Sequence, residues 1–393
     1  MKFVHLADLH IGKSVCGFSM LEDQRYILEQ IQGIIIREAP DAVLIAGDIY
    51  DKPVPSARSV QLLDDFLCGL SKYGCEVFVI SGNHDSPERL SFGGRLMDAS
   101  GVHFAPVYSG RVEPFTLEDE YGEVCVWLLP FVKPADVRAF FPGAEISSYT
   151  GAVRTTVQAM EPDSGARNVL VTHQFVTGAK RCGSEEISVG GADNVDASVF
   201  EGFDYVALGH IHGPQSVGDS RIRYCGTPLK YSFSEVSHKK SVTIVELGAR
   251  QEPPAEKSAG AKRSYAAIDI RTVPLEPLHD MREIRGSYDE VTARDFYKDT
   301  AVDDYLRVTL TDEEDIPDGY AKLRLIYPHL MRLDYDNRRT RAEVDLPLEA
   351  AGGHKRPEEL FAGFYEEMNG APMTEEQDVL VRDMIGKIWG GPS

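Results

Sequence analysis

No stretch of the 393-residue chain approaches the roughly 18 to 20 apolar residues needed to span a bilayer, which argues against a helical membrane anchor. The N-terminus reaches Asp8 before a signal-peptide apolar core can form, so no export signal is expected. Cysteine is sparse. Cys16, Cys68, Cys75, Cys125, Cys182 and Cys225 include no Cys-x-x-Cys pair. That argues against a zinc knuckle and a dense disulfide framework, and predicts reduced thiols in a cytoplasmic protein. Positive charge is also short: 41 Lys and Arg stand against 62 Asp and Glu, a net charge of −21. Such a chain does not hold nucleic acid by bulk attraction alone, although an enzyme working through metal ions or a basic partner stays open. A Gly-x-x-x-x-Gly-Lys-[Ser/Thr] loop is missing, so any ATP dependence must come from a partner. Internal repeats and long low-complexity tracts are missing too.

What is present is ordinary globular composition, 42% hydrophobic and 26% charged, in a length that suits about two to three domains. Residues 1–248 alternate short apolar runs with amphipathic stretches. Runs at 3–7, 42–46, 77–81, 169–172 and 205–208 read as buried strands. Helical spacing of Ile27, Ile31, Ile34 and Ile35, then of Val60, Leu63, Phe66, Leu67 and Leu70, places helices between the first three. The expected fold is α/β, a layered α/β/α sandwich with mixed sheets, with antiparallel hairpins around 107–130. Residues 249–264 lack large apolar side chains and read as a linker. Residues 265–348 then read as a small α+β domain, residues 350–356 as a second break, and residues 357–390 as a helical hairpin.

Five polar clusters follow the five runs: Asp8-Leu9-His10, Gly47-Asp48-Ile49-Tyr50-Asp51, Gly82-Asn83-His84-Asp85, His173, and Gly209-His210-Ile211-His212. The C-terminal ends of strands are where α/β sheets build their sites. Carboxylate, amide oxygen and imidazole suit divalent ions of intermediate hardness, with no cysteine in the set. Asp8/His10 and His210/His212 are i, i+2 pairs, and in extended chain each pair faces one way. Two divalent ions bring +4 against −2 from Asp8 and Asp48, which leaves positive charge for an anionic substrate. A phosphate ester fits. His5, His103, His279, His329 and His354 read as structural, and His238 is left open.

In order and spacing, these blocks resemble the calcineurin-like metallophosphoesterase superfamily. The resemblance implies that Asp8, His10, Asp48 and His212 hold one metal. Asp48, Asn83, His173 and His210 hold the other, with Asp48 bridging. It also implies that His84 stabilises the transition state or protonates the leaving oxygen. Asp51 either orients His84 or caps a turn, and Asp85 either shares in the chemistry or braces its loop. Lys52-Pro53 after Asp51 and Asp85 at the end of the third block depart from the protein Ser/Thr phosphatases.

Residues 1–12, 47–56, 224–235 and 357–370 further resemble the SbcD family of bacterial nuclease subunits. That resemblance implies a Mn²⁺-dependent nuclease, with Mg²⁺ or Fe²⁺ as other possible ions. It implies 3′→5′ exonuclease action on duplex DNA and endonuclease action on single strands and hairpins, in double-strand break processing and recombination. The partners it implies are DNA, an SbcC-like ATPase and a second copy of the chain. Residues 265–348 become a DNA-capping domain. Leu360, Phe361, Phe364, Tyr365 and Met368 form one apolar helical face, and Leu380, Met384, Ile388 and Trp389 a second, opened by a Thr374/Gln377 capping box. The pair either docks on the ATPase coiled coil or folds back on its own chain. Lys13, Lys52, Arg58, Arg89, Lys230, Lys239 and Lys240 are the candidate phosphate contacts. The competing readings are another phosphoesterase, acting on cyclic nucleotides or phosphoproteins, and a non-catalytic scaffold.

Overall fold

Ile27, Leu28, Ile31, Ile34 and Ile35 all turn inward on the helix Leu21–Glu38, as their spacing predicts. Leu62, Leu63, Phe66, Leu67 and Leu70 do the same on Ala57–Ser71, which Ser56 caps by accepting the Ser59 N–H. Val60, expected among them, is instead exposed. These observations come from a computed structural model that describes residues 1–185, 193–251, 264–338, 361–363, 365 and 372–389. The chain divides into two units, Met1–Thr309 with Pro317–Asp334, and Leu310–Ile316 with Tyr335–Ser393.

The first unit holds two six-stranded mixed sheets. One runs Ala266–Pro274, Ser241–Arg250, Lys2–Leu6, Ala42–Ala46, Glu76–Ile80, Val102–Ala105. Its last four strands are parallel, and the first two join antiparallel. The other runs Gln215–Val217, Asp219–Tyr224, Tyr205–Gly209, Arg167–His173, Gly122–Leu129, Pro114–Asp119, with its four central strands parallel. The hairpin Pro114–Asp119/Gly122–Leu129 falls where the sequence places one.

Three apolar clusters follow from the two-residue side-chain period of the strands. Phe3, Leu44, Phe78 and Ile80 meet Val126, Leu128, Val169 and Ala207 between the sheets. Val4, Val43, Ile45, Val77 and Val79 face the two helices named above. Trp127, Leu170, Val206 and Leu208 face the helix Tyr149–Met160. The expected layered α/β sandwich is therefore helix, sheet, sheet, helix. The central β layer is double because strands of both sheets are apolar on both faces.

One boundary moves. Residues 266–274, assigned by sequence to the small α+β domain, pair antiparallel with Ser241–Arg250 in the first sheet, where Ala266, Ile268 and Ile270 join the inter-sheet core. The polar stretch before them connects two strands of one sheet, so polarity alone does not mark a domain border there. Residues 252–263 of that stretch lie outside the described residues. Past Pro274 comes a three-stranded sheet, Met281–Gly286, Tyr305–Leu310 and Leu330–Tyr335, with the short helices Tyr288–Thr292, Arg294–Tyr297 and Gly319–Leu323.

In the second unit, Thr374 and Gln377 cap the helix Glu375–Trp389 reciprocally. The Thr374 N–H donates to Gln377 Oε1 at 2.9 Å, and the Gln377 N–H to Thr374 Oγ1 at 3.3 Å. Leu380 and Met384 are more than half exposed there. Residues 339–360 and most of 364–371 lie outside the described residues, so the end of the expected capping domain, the break at 350–356 and most of the first tail helix are not seen. No helix among the described residues is long and apolar enough to cross a membrane.

Candidate metal centre

The parallel strands of both sheets end at one edge, and each end delivers a polar residue. Lys2–Leu6 leads to Asp8 and His10, Ala42–Ala46 to Asp48, and Glu76–Ile80 to Asn83 and His84. Arg167–His173 ends in His173, and Tyr205–Gly209 leads to His210 and His212. Asp8, His10, Asp48, His173, His210 and His212 are all buried, while Asn83 and His84 sit at the rim. Donor atoms of Asp8, His10 and His212, of Asp8, Asp48 and His173, and of His10, Asp48 and His84 lie within 4.8 Å of one another.

The local backbone differs from the extended chain that the i, i+2 pairs suggest. Asp8, His10, Asp48 and His210 adopt φ of +54°, +45°, +48° and +104°. Each such residue costs of order 1–3 kcal/mol unless its surroundings enforce it. Here they do: the Asp8 N–H donates to Gly47 O at 3.0 Å, and the His10 N–H to Asp48 O at 2.9 Å. The His210 N–H donates to Asp8 Oδ1 at 2.9 Å. Main chain also crowds the cluster at two glycines. A Cβ on Gly82 would collide with Asp48 Oδ1, and one on Gly209 with the Ala46 carbonyl oxygen.

Acceptor oxygens beside two of the rings favour a proton on Nδ1. His173 Nδ1 donates to Ala46 O at 2.8 Å. Its Nε2 points at Asn83 Oδ1 (3.0 Å) and Asp48 Oδ2 (3.4 Å), and offers a lone pair there once its proton is lost. His212 Nδ1 faces Glu235 Oε1 at 3.1 Å, so its Nε2 lone pair meets His10 Nε2 at 3.2 Å. His210 Nδ1 lies 3.0 Å from the same Asn83 oxygen. Lone pairs converging from both sheets repel one another unless a proton or a cation lies among them. Two divalent cations suit this set, with two carboxylates, an amide oxygen and imidazoles as donors.

The titration behaviour agrees. Burial pushes Asp48 upward, but His173, His10 and His84 outweigh it and hold the carboxylate well below its usual range. Burial disfavours the His173 cation, yet Asp48 lifts that ring to about 9. Burial drives His10 well down and His210 to about 3. Asp8 is pushed up to about 7 by burial and by Asp48, against the pull of His173. A proton on His173 and a metal ion therefore compete for the same lone pair.

Asp51 requires a correction. His84 Nδ1 faces the main-chain oxygen of Asp51 at 3.2 Å, while the Asp51 carboxylate is drawn to Lys13 Nζ at 2.6 Å. The side chain does not orient His84; the nearby ammonium outcompetes the ring for it. Asp85 braces its loop, with its carboxylate taken up by backbone N–H groups. The histidines read as structural each have a partner: His5 with Tyr205, His103 with Glu76, His279 with Asp23 and His329 with Asp303 O. His354 lies outside the described residues. His238 stands 4.0 Å from Glu235, apart from the cluster. Of the candidate phosphate contacts, Lys240 is buried against Glu235, and Lys13 and Lys230 are paired with Asp51 and Asp280. Lys52, Arg58, Arg89 and Lys239 remain exposed. Sequence reasoning missed Glu235 and Ser184, which touch His212 from behind. A glutamate in an irregular loop gives no signal of its own.

Residues 1–214, more than half of the chain, match the family model described as calcineurin-like phosphoesterase, and the chain belongs to that family. It is a metal-dependent phosphodiester hydrolase, and the metals it depends on are divalent. Along its whole length it is similar to SbcD, the D component of the nuclease SbcCD, of Staphylococcus epidermidis, at 29% identity over 395 residues and 99% of each chain. Residues 277–369 match a second model, described as type 5 capsule protein repressor C-terminal domain. Among solved structures, a dimetal phosphatase from Danio rerio is 13% identical with a TM-score of 0.36, over 62% of this chain and 92% of that one.

Proposed function

We propose that this chain is the nuclease subunit of an SbcCD-type complex, a Mn²⁺-dependent enzyme that cleaves DNA phosphodiesters. It acts as a 3′→5′ exonuclease on duplex ends and as an endonuclease on single strands and hairpins. The full-length likeness to the nuclease component of an SbcCD complex supports the substrate class. The observation that carries the chemistry is the convergence of His173, His210, Asn83, Asp48, His10 and His212 donor atoms at spacings of 3.0 to 3.7 Å.

Asp8, His10, Asp48 and His212 would hold one ion. Asp48, Asn83, His173 and His210 would hold the other. When bound, such a pair polarises a phosphoryl oxygen and lowers the pKa of an attacking water. The residual positive charge attracts a phosphodiester despite the acidic chain. His84, at the rim and 4.0 Å from Asp48 Oδ2, carries its Nδ1 proton toward Asp51 O. With a second proton on its Nε2, the ring would stabilise the transition state or protonate the leaving oxygen. Exposed Lys52, Arg58, Arg89 and Lys239 would contact phosphates.

Three further assignments belong to this reading. The α+β region after Pro274 caps the DNA. The segment 357–390, which the sequence pattern reads as a helical hairpin, docks on the coiled coil of an SbcC-like ATPase, offering Leu380 and Met384. The chain forms a homodimer in the cytoplasm. A patch of Val60, Phe92 and Leu96, the last two more than 80% exposed beside a cavity of about 640 Å³, supports self-association.

The test is cleavage of end-labelled duplex, hairpin and single-stranded DNA with Mn²⁺, alongside p-nitrophenyl phosphate esters. His84→Gln is expected to keep metal and lose at least about 100-fold in rate. Asp48→Asn is expected to lose both. Normal DNA cleavage by His84→Gln overturns its role. Hydrolysis of the small esters alone points to another phosphoesterase, and metal binding without any hydrolysis to a scaffold.

A further inference from the structure

Behind His212, on the side away from the cluster, sits a buried ionic group. Glu235 is fully buried and Lys240 nearly so. Glu235 Oε1 lies 3.1 Å from His212 Nδ1 and accepts the Ser184 hydroxyl at 2.6 Å. Glu235 Oε2 accepts from Lys240 Nζ at 2.5 Å. The three ammonium protons of Lys240 have three acceptors: that oxygen, Thr227 Oγ1 at 2.6 Å, and the main-chain oxygen of His212 itself at 3.0 Å. Glu235 thus holds the His212 ring, Lys240 holds the His212 backbone, and the two hold each other.

Burying a carboxylate and an ammonium costs free energy that apolar side chains of the same volume would not. The neighbouring core does not require charge at this point. The His212 ring does, because a carboxylate at Nδ1 selects one tautomer and raises the basicity of the other nitrogen. Cys182 also lies within 4.8 Å of His212 and Glu235 donor atoms, but Glu235 is already taken up by His212, Ser184 and Lys240.

We infer that Glu235, with Lys240 as its counter-ion, is a positioning residue that keeps His212 in its Nδ1–H form and aims the Nε2 lone pair at the metal pair. This rests on the two-ion reading above. Glu235 acts on one of the two ions, since His212 faces His10 and Asp8 and not the His173–Asn83 side.

Calorimetric titration of the full chain with Mn²⁺ alone tests it, without substrate or turnover. Glu235→Leu/Lys240→Met removes the carboxylate, leaves no stranded charge, and keeps the Ser184 hydroxyl, 2.9 Å from His212 Nδ1, as a weaker neutral partner. One Mn²⁺ equivalent is expected to weaken about 10- to 100-fold while the other stays near wild type. Glu235→Gln/Lys240→Met restores an amide oxygen and is expected to recover much of the loss. Wild-type affinity in the Leu/Met chain overturns the inference. So does equal weakening of both equivalents with no recovery by Gln, the signature of a purely structural pair. Should the Leu/Met chain fail to fold, Glu235→Asp keeps the ion pair but draws the carboxylate back from the ring. The same single equivalent should then weaken, and unchanged affinity overturns the inference. A wild-type chain that takes up no tightly held Mn²⁺ overturns the two-ion reading itself, and this inference with it.

Discussion

Asp85 accepts the backbone N–H of Tyr50 at 2.9 Å, and its second oxygen accepts those of Ile49 and Gly82 at 3.0 and 2.9 Å. One side chain thereby ties the loop after Asp48 to the loop carrying Asn83 and His84. Burial and the charge of Asp48 push this carboxyl up to about 6, against the three N–H groups that favour its ionised form. Asp85→Ala strands three buried donors. It is expected to destabilise the chain by at least about 2 kcal/mol and to weaken metal uptake. Urea unfolding with and without Mn²⁺ measures both. A loss below about 0.5 kcal/mol would show that the loops hold without it.

Metal uptake should depend on pH with a definite sign. The His173 ring titrates at about 9 beside Asp48, so near neutrality a metal must displace its proton. Apparent Mn²⁺ affinity is therefore expected to rise from about pH 6.5 to about 8.5, by up to roughly tenfold per unit for each proton released. Titration calorimetry in buffers of different ionisation enthalpy counts those protons. Affinity that is flat across the range contradicts the competition.

Asp51→Asn is expected to change cleavage less than about threefold, because the main-chain oxygen and not the carboxylate meets His84. His84→Gln at the same site loses at least about 100-fold. Equal losses in the two variants, measured as kcat on hairpin DNA, would return the Asp51 carboxylate to the chemistry.

Leu96→Glu places a charge on the exposed apolar patch with Phe92. It is expected to convert a dimer to a monomer in light scattering and to leave Mn²⁺ affinity unchanged. A wild-type chain that is already monomeric, or a Leu96→Glu chain that stays dimeric, removes this patch as the self-association surface.

Truncation at Gly353 is expected to abolish co-purification with an SbcC-like ATPase and to leave metal-dependent nuclease activity intact. Retained binding would place the docking surface elsewhere.

The strand ends are legible because each block pairs an apolar run with a donor residue, and a parallel sheet brings such ends to one edge. The spacing of Asp8 and His10 joins them for a reason that does not hold: they share the cluster through left-handed turns, not through extended chain. The strand Ala266–Pro274 is misplaced by sequence because a polar connection within one sheet looks like a linker between domains. Val60 fits a helical stripe but lies at its margin, where a 3.6-residue period cannot separate inside from outside. Asp51, Glu235 and Lys240 depend on which neighbour wins a charge, and that choice is made by tertiary contacts with no local sequence pattern. Lys240 in particular reads as a surface cation until Glu235 is seen beside it.

The donor atoms come from opposite sides of a seam. Asp8, His10, Asp48 and Asn83 rise from one sheet, and His173, His210 and His212 from the other. Ions bound there would act as rivets between two layers that otherwise meet through apolar contact, hydrogen bonds and peripheral ion pairs such as that of the Met1 ammonium with Asp119. Chelation should thus loosen more than the catalytic edge: amide exchange in the strands flanking the seam would quicken together, and nucleolytic competence and mechanical integrity would be lost in one step.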